Sequence, residues 1–275
     1  MSENLHKIHL TSFQVIILGF AGVILSGALL LMLPWASVKG AVTPFHEALF
    51  TATSAVCVTG LVVQDTGSYW SSFGQAVILI LIQTGGFGVV TVAAAVSMMS
   101  GRKISLMQRS TMQNAISAPK VGGIVRLTKF ILKGTFLIEG MGALLLLPVF
   151  CHDFGWKGIW MAVFHSVSAF CNAGFDILGR EGHLYPSIVG YADNILVNGV
   201  IIGLIIIGGI GFLTWEDICE YKWKFKNYRM QSKLILATTV CLIIFPACFF
   251  FFADFQHLPD KQQLPHYGYR DCKCR

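Results

Sequence analysis

Apolar residues along this chain fall into long blocks, with the charged residues confined to the stretches between them. Five blocks, at about 13–33, 73–99, 127–150, 194–214 and 234–252, are long enough to cross a hydrocarbon core about 30 Å thick at about 1.5 Å per helical residue. Two further apolar stretches, Pro44 to Val58 and Ile159 to Cys171, are too short to cross. Each lies between two predicted spans and runs into a glycine and then a polar segment. Irregular backbone at membrane depth is tolerated only where protein or an aqueous cavity surrounds it, so both stretches read as re-entrant.

The pattern repeats. At an offset of 114 residues Ala48, Phe50, Ser54, Ala55, Cys57 and Gly60 match Ala162, Phe164, Ser168, Ala169, Cys171 and Gly174. The spans that follow also align, Gly85-Gly86-Phe87-Gly88 and Thr91 against Gly208-Gly209-Ile210-Gly211 and Thr214. Each repeat therefore reads as span, short pore-type helix, extended turn with a glycine, span. The predicted fold is an all-α membrane protein built of parallel repeats of transmembrane helix, re-entrant pore helix with filter loop, and transmembrane helix. Its expected segments are an N-terminus at 1–12, a first repeat at 13–100, a basic connection at 101–126 and a second repeat at 127–215. A connection at 216–233, the first helix of an incomplete third repeat at 234–252 and a divergent tail at 253–275 follow.

Composition agrees with lipid as solvent: 55% of the 275 residues are hydrophobic and only 12% charged. The net charge of +6 comes from Lys and Arg beside the apolar blocks, which read as topology signals and not as a nucleic-acid face. Arg102, Lys103, Arg109, Lys120, Arg126, Lys129 and Lys133 make one basic loop, and Lys222, Lys224, Lys226, Arg229 and Lys233 another. Both are expected on the cytoplasmic side of a plasma membrane, with the N-terminus inside and the tail after Phe252 outside. Because both repeats then start on the same side they are parallel copies. Such copies bring their turns together on an axis normal to the membrane, whereas inverted repeats would build a midplane transporter site.

A monovalent cation leaves water only if oxygen ligands replace its hydration shell, and backbone carbonyls of extended loops do this without stranding a charge. The candidate ligands are therefore Val56, Cys57, Val58, Thr59 and Gly60 in the first turn and Phe170, Cys171, Asn172, Ala173 and Gly174 in the second. Their side chains need not be polar, and glycine gives the positive φ and close approach such a turn requires. The alternative is that Gly60 and Gly174 merely cap short interfacial helices.

The segments TATSAVCVTGL at 51–61, LIQTGGFGVVT at 81–91 and FHSVSAFCNAGFDILG at 164–179 resemble the Trk/Ktr/HKT superfamily of potassium-translocating subunits, most closely its KtrB-like branch. The resemblance covers about residues 10–253. It implies a pore of four repeats, each giving one filter strand, with Gly60 and Gly174 the first two filter glycines. It also implies K⁺ as the transported ion, since glycine at the first filter position goes with potassium and serine with sodium, and Na⁺ as a candidate activator or coupled ion. A homodimer, a cytosolic nucleotide-binding regulatory subunit, a bacterial plasma membrane, no enzyme activity and no cofactor in the chain follow from the same resemblance. Four repeats would need roughly 450 residues. The tail ADFQHLPDKQQLPHYGYRDCKCR after Phe252 carries no third filter, so the chain reads as a truncated or frame-shifted product. A fragment without independent transport and a two-repeat subunit that dimerises to complete a pore are the two alternatives.

Other residues are weighed singly. Glu139, inside the third span, is a functional candidate by position or else a carboxyl satisfied by a neighbouring helix. Asn172 could orient carbonyls, bond the pore helix or meet the ion directly. His46 and His165 lack metal-ligand partners and read as structural or vestibule residues. Cys57, Cys151, Cys171, Cys219, Cys241 and Cys248 read as small apolar packing residues, and Cys272 and Cys274 form a CxC pair without further ligands. The GGxG clusters at 85–88 and 208–211 read as close helix packing or a flexible bend. The absence of a paired acid, base or metal constellation argues against an intramembrane enzyme.

Overall fold

The computed structural model describes residues 11–88, 91–92, 111, 113 and 124–257. Among them it is all-helical, with isolated β-bridges and no strand. Helix α1 spans Ser12–Leu31. Thr11 opens it with a capping box, its hydroxyl accepting the Gln14 N–H at 3.3 Å while the Gln14 side chain accepts the Thr11 N–H at 2.9 Å. It stops just before Pro34, which cannot continue a helix.

The short helix α2, Phe45–Val56, starts after Pro44 and carries Glu47 in its first turn, where the helix dipole favours an acid. Helix α3, Ser72–Phe87, is capped by Ser71. The second series repeats the order, with α4 at Ile124–Phe154, α5 at Lys157–Phe170 and α6 at Ile195–Gly209, the last capped by the Asn194 side chain. Within each series the three helices pack on one another, and α3 packs across onto α5.

Helices at 13–31, 125–154 and 230–249 are long and apolar enough to cross a membrane. The second and fourth predicted spans differ from expectation. Helix α3 ends at Phe87 and turns out at Gly88, φ +78°, so the expected span 73–99 is not continuous; 89–90 and 93–99 lie outside the described residues. The expected span 194–214 breaks after Gly209, where Gly211 takes φ +83°, and α7, Phe212–Tyr221, leaves at 95°. At about 24 Å and 22 Å, α3 and α6 are each shorter than the hydrocarbon core. The matched last glycine of each GGxG cluster is thus a bend.

The earlier glycines of these clusters serve contact. A methyl group on Gly85 would lie 2.1 Å from the Val56 carbonyl oxygen, and one on Gly208 would lie 1.9 Å from that of Phe170. These are equivalent contacts: in each series the third helix touches the last residue of its short helix backbone to backbone. The described cysteines are free thiols. Only Cys151 and Cys171 are partly buried, while Cys57, Cys219, Cys241 and Cys248 are exposed, so packing is not their common role. The four exposed ones sit on faces that no other part of the described chain covers. Cys272 and Cys274 lie outside the described residues, as do Arg102, Lys103, Arg109 and Lys120.

The chain divides into two compact units, Met1–Glu216 and Asp217–Arg275. In the second, α8 (Met230–His257) is tied at its start by the buried Asp217, whose carboxylate accepts the Arg229 N–H at 3.1 Å and the Ser232 hydroxyl at 2.6 Å.

Gly85→Ala and Gly208→Ala are expected to destabilise the protein by about 2 kcal/mol or more, because backbone and not a flexible side chain must yield. Gly22→Ala, with no atom within 4 Å of the added methyl, is expected to leave stability unchanged or raised. Thermal unfolding in detergent measures both.

Candidate functional site

The two short helices end alike. After Val56 the chain passes through Cys57 in a near-helical conformation, φ −83° and ψ −1°, and then through Val58 at φ +57°. After Phe170 it passes through Cys171, φ −73° and ψ −4°, and then Asn172 at φ +58°. The Thr59 N–H reaches back to the Ser54 carbonyl at 2.9 Å and the Val58 N–H to that of Ala55 at 3.3 Å. In the second series Ala173 bonds Ser168 at 2.8 Å and Asn172 bonds Ala169 at 3.0 Å. This pair of crossed bonds is the Schellman motif, with Val58 and Asn172 as its left-handed residues.

Gly60 and Gly174 are therefore not the helix caps. They stand two residues beyond, with their own positive φ of +74° and +71°. They also meet: a methyl on Gly174 would lie 3.6 Å from the Gly60 Cα, and one on Gly60 would lie 2.6 Å from the Ala173 carbonyl oxygen. The expected ligand residues of the two loops thus converge at their glycines.

The caps consume N–H groups and leave carbonyls. From the described residues, the carbonyl oxygens of Val56, Cys57, Val58, Thr59 and Gly60 accept no hydrogen bond, nor do those of Cys171, Asn172, Ala173 and Gly174. That of Phe170 receives one long bond, 3.4 Å, from the Asn172 amide. Val58, β-branched in the left-handed region, is a strained residue of the kind that clusters at functional sites, whereas asparagine tolerates that conformation. Matched serines brace both turns. Thr59 donates to Ser54 Oγ at 2.9 Å, and Ser168 donates to the Phe175 carbonyl at 2.6 Å.

Three sets of contacts hold one loop against the other. Asp65, 4% exposed, takes the Ser68 N–H and hydroxyl at 2.7 Å each and the Tyr185 N–H at 3.0 Å. Its carboxylate presses on Gly179, where a methyl would lie 2.0 Å from Oδ2. Gln75 accepts the Trp160 indole N–H at 2.8 Å. Gln83 donates to Glu139 at 2.9 Å, and one turn on, Gly86 lies against the Cys171 thiol. Asp176, on the loop after Gly174, is pushed above the usual carboxylate range by burial, with a further push from the nearby Asp65 charge and an opposing hydrogen bond from the Leu178 N–H.

The remaining candidates separate. His46 is exposed beside Glu47, and His165 is buried with Nδ1 2.7 Å from the Met161 carbonyl. No cluster of metal-ligating side chains is present among the described residues. Asp65, Gly179, Gln75, Gln83 and Trp160 escaped the sequence reading. Gln83 carried a signal, a polar residue in an apolar span like Glu139.

A profile of the TrkH family, described as a cation transport protein, matches residues 6–258. The potassium/sodium uptake protein NtpJ of Enterococcus hirae is 42% identical over 245 residues, 89% of this chain and 52% of that protein. The Ktr system potassium uptake protein B of Bacillus subtilis is 40% identical over 237 residues, 86% and 51%. Its namesake from Vibrio alginolyticus is 34% identical over 250 residues, 90% and 53%. The chain spans about half the length of the curated relatives it matches. The family and these names are those of transporters, in keeping with a chain that is not an enzyme.

Exchanging the two left-handed residues is expected to have opposite effects. Val58→Asn relieves strain and stabilises by about 1 kcal/mol, while Asn172→Val introduces it and destabilises by about 1–2 kcal/mol. Unfolding midpoints of the two variants in detergent check the sign.

Proposed function

The chain belongs to the TrkH family of cation transport proteins, and from that premise we propose that it supplies two of the filter strands of a potassium uptake pore. The carrying observation is the convergence at Gly60 and Gly174 of two loops whose carbonyl oxygens, that of Phe170 apart, accept no hydrogen bond from the described residues. At membrane depth an unclaimed carbonyl is costly, and a partly dehydrated monovalent cation is the partner that such a set of oxygens suits. Val56 to Gly60 and Phe170 to Gly174 hold the ion by backbone; Asn172, in this reading, shapes its turn by conformation and is not a direct ligand. K⁺ moves passively down the membrane potential into a bacterial cell, with no covalent step.

The relatives' names support K⁺ as cargo and bring in Na⁺, either as a second permeant ion or as an activator. The word "system" in the Ktr relatives' names fits a separate regulatory component, which we assign to a cytosolic nucleotide-binding subunit acting on the basic connections. The N-terminus is placed inside, and a homodimer is the proposed assembly.

A second reading is favoured by the join between the two series. Gln75, Gln83 and Gly86 on α3 meet Trp160, Glu139 and Cys171. The equivalent trailing face on α6 repeats part of this set and, among the described residues of the first unit, meets no partner like α5. Asn198 directs its amide N–H groups onto the Tyr191, Ala192 and Asn194 carbonyls as Gln75 does onto those of Thr66, Gly67 and Trp70, and Gly209 meets no thiol. On the leading side His46 stands where Trp160 does, and His46 and Cys57 are exposed. A head-to-tail join of this kind propagates until rotation closes it, so two copies of the chain would complete a ring of four strands. A dimer with Rb⁺ flux in proteoliposomes is the outcome this reading requires, and a monomer without flux contradicts it.

For the filter itself, Gly60→Ser is expected to cut the preference for K⁺ over Na⁺ on the order of tenfold, about 1.4 kcal/mol of differential binding. Competitive cation uptake measures it. Unchanged selectivity would contradict the assignment of Gly60.

A further inference from the structure

Glu139 lies midway along α4 and is 5% exposed. Its side chain accepts one hydrogen bond across the join between the series, from Gln83 at 2.9 Å, and its backbone carbonyl is fixed by the Ser166 hydroxyl at 2.7 Å. Among the described residues no Lys, Arg or His forms an ion pair with it. A carboxylate in the interior of a span without a countercharge is expensive, and such residues mark ion pathways.

Its position says where the countercharge belongs. Gln83 and Gly86 are three residues apart and so share one face of α3. The first touches Glu139, and the second lies against Cys171, where a methyl would be 2.6 Å from Sγ. Through Gln83 and Gly86 one face of α3 thus meets both the Glu139 carboxylate and Cys171, the second residue of the turn, one helical turn apart.

We infer that the Glu139 carboxylate sets the cation affinity of the second turn: its negative charge, fixed by Gln83 behind Phe170 to Gly174, stabilises a monovalent cation held by that turn's carbonyls, and the cation is the countercharge the span lacks. The inference rests on the filter reading above. A unit charge within about 10 Å of the ion, at an effective dielectric constant of about 20, changes affinity on the order of tenfold. The effect grows as the site excludes water, because the field acts through protein and not through solvent.

The test uses the whole chain in detergent, unfolded by heat over a range of K⁺ with choline as the replacing cation, since a ligand bound only by the folded state raises its midpoint. The wild type is expected to be stabilised by K⁺ more than by Na⁺. Glu139→Gln keeps an oxygen that can accept from Gln83 but removes the charge; it is expected to raise the half-saturating K⁺ concentration about tenfold with little change in the K⁺-free midpoint. Glu139→Asp keeps the charge and is expected to stay near the wild type. A merely structural Glu139 would move the K⁺-free midpoint instead.

Infrared difference spectra of the wild type on K⁺ addition give a readout that needs no glutamine variant: the carboxylate stretch is expected to shift, with the assigned band moved in Glu139→Asp. A Glu139→Gln variant with wild-type K⁺ dependence, or a K⁺ spectrum without any carboxylate change, would overturn the inference while leaving the filter reading in place. A wild type indifferent to K⁺ would remove both.

Discussion

Everything in the first unit follows from one constraint: a backbone that enters the membrane and turns back must dispose of its polar groups without water. The two short helices meet it in the same way. Each closes with a Schellman cap that uses the N–H groups of Val58 and Thr59, or Asn172 and Ala173, and leaves a run of carbonyls free. A helix C-terminus leaves its last carbonyls without intrahelical donors, and these caps satisfy only those of Ser54 and Ala55, or Ser168 and Ala169. Here the cap N–H groups are bonded while the carbonyls of Val56 to Gly60 and Cys171 to Gly174 accept no bond from the described residues, the asymmetry on which the cation reading rests.

Keeping such loops in place demands close and rigid support, and glycine provides much of it. Gly85 and Gly208 allow α3 and α6 to lie on the carbonyl ends of α2 and α5, while Gly60 and Gly174 allow the loops to touch. The last glycine of each GGxG cluster does different work, ending α3 and α6 so that neither crosses the membrane unbroken. Polar residues then pin one series to the other at separate heights: Asp65 against Gly179 and Tyr185, Gln75 with Trp160, Gln83 with Glu139. Strain at Val58 persists because these contacts over-determine the loop.

Much of this is legible in the chain itself. Long apolar runs locate α1, α4 and α8, and the short stretches 44–58 and 159–171 lie within a few residues of α2 and α5. The matched glycines Gly60 and Gly174 follow from the internal repeat. The breaks at Gly88 and Gly211 are only half legible: the GGxG clusters allow either close packing or a bend, and apolar runs continue through a glycine whatever its φ. Val58 is hidden for the opposite reason: a β-branched residue argues locally against the left-handed conformation it adopts, and only its alignment with Asn172 hints at it. The pairing of Asp65 with Tyr185 joins residues 120 apart and depends on tertiary contact that no local pattern carries.

The central claim is that the carbonyls of the two turns are ligands of one cation path. Anomalous scattering from crystals grown in Tl⁺ or Rb⁺ addresses it directly. Peaks beside the carbonyl oxygens of Val56 to Gly60 and Phe170 to Gly174, weakened when Na⁺ replaces K⁺ as competitor, are the predicted result. Ordered ions found elsewhere in the membrane region, with none at these oxygens, would contradict it.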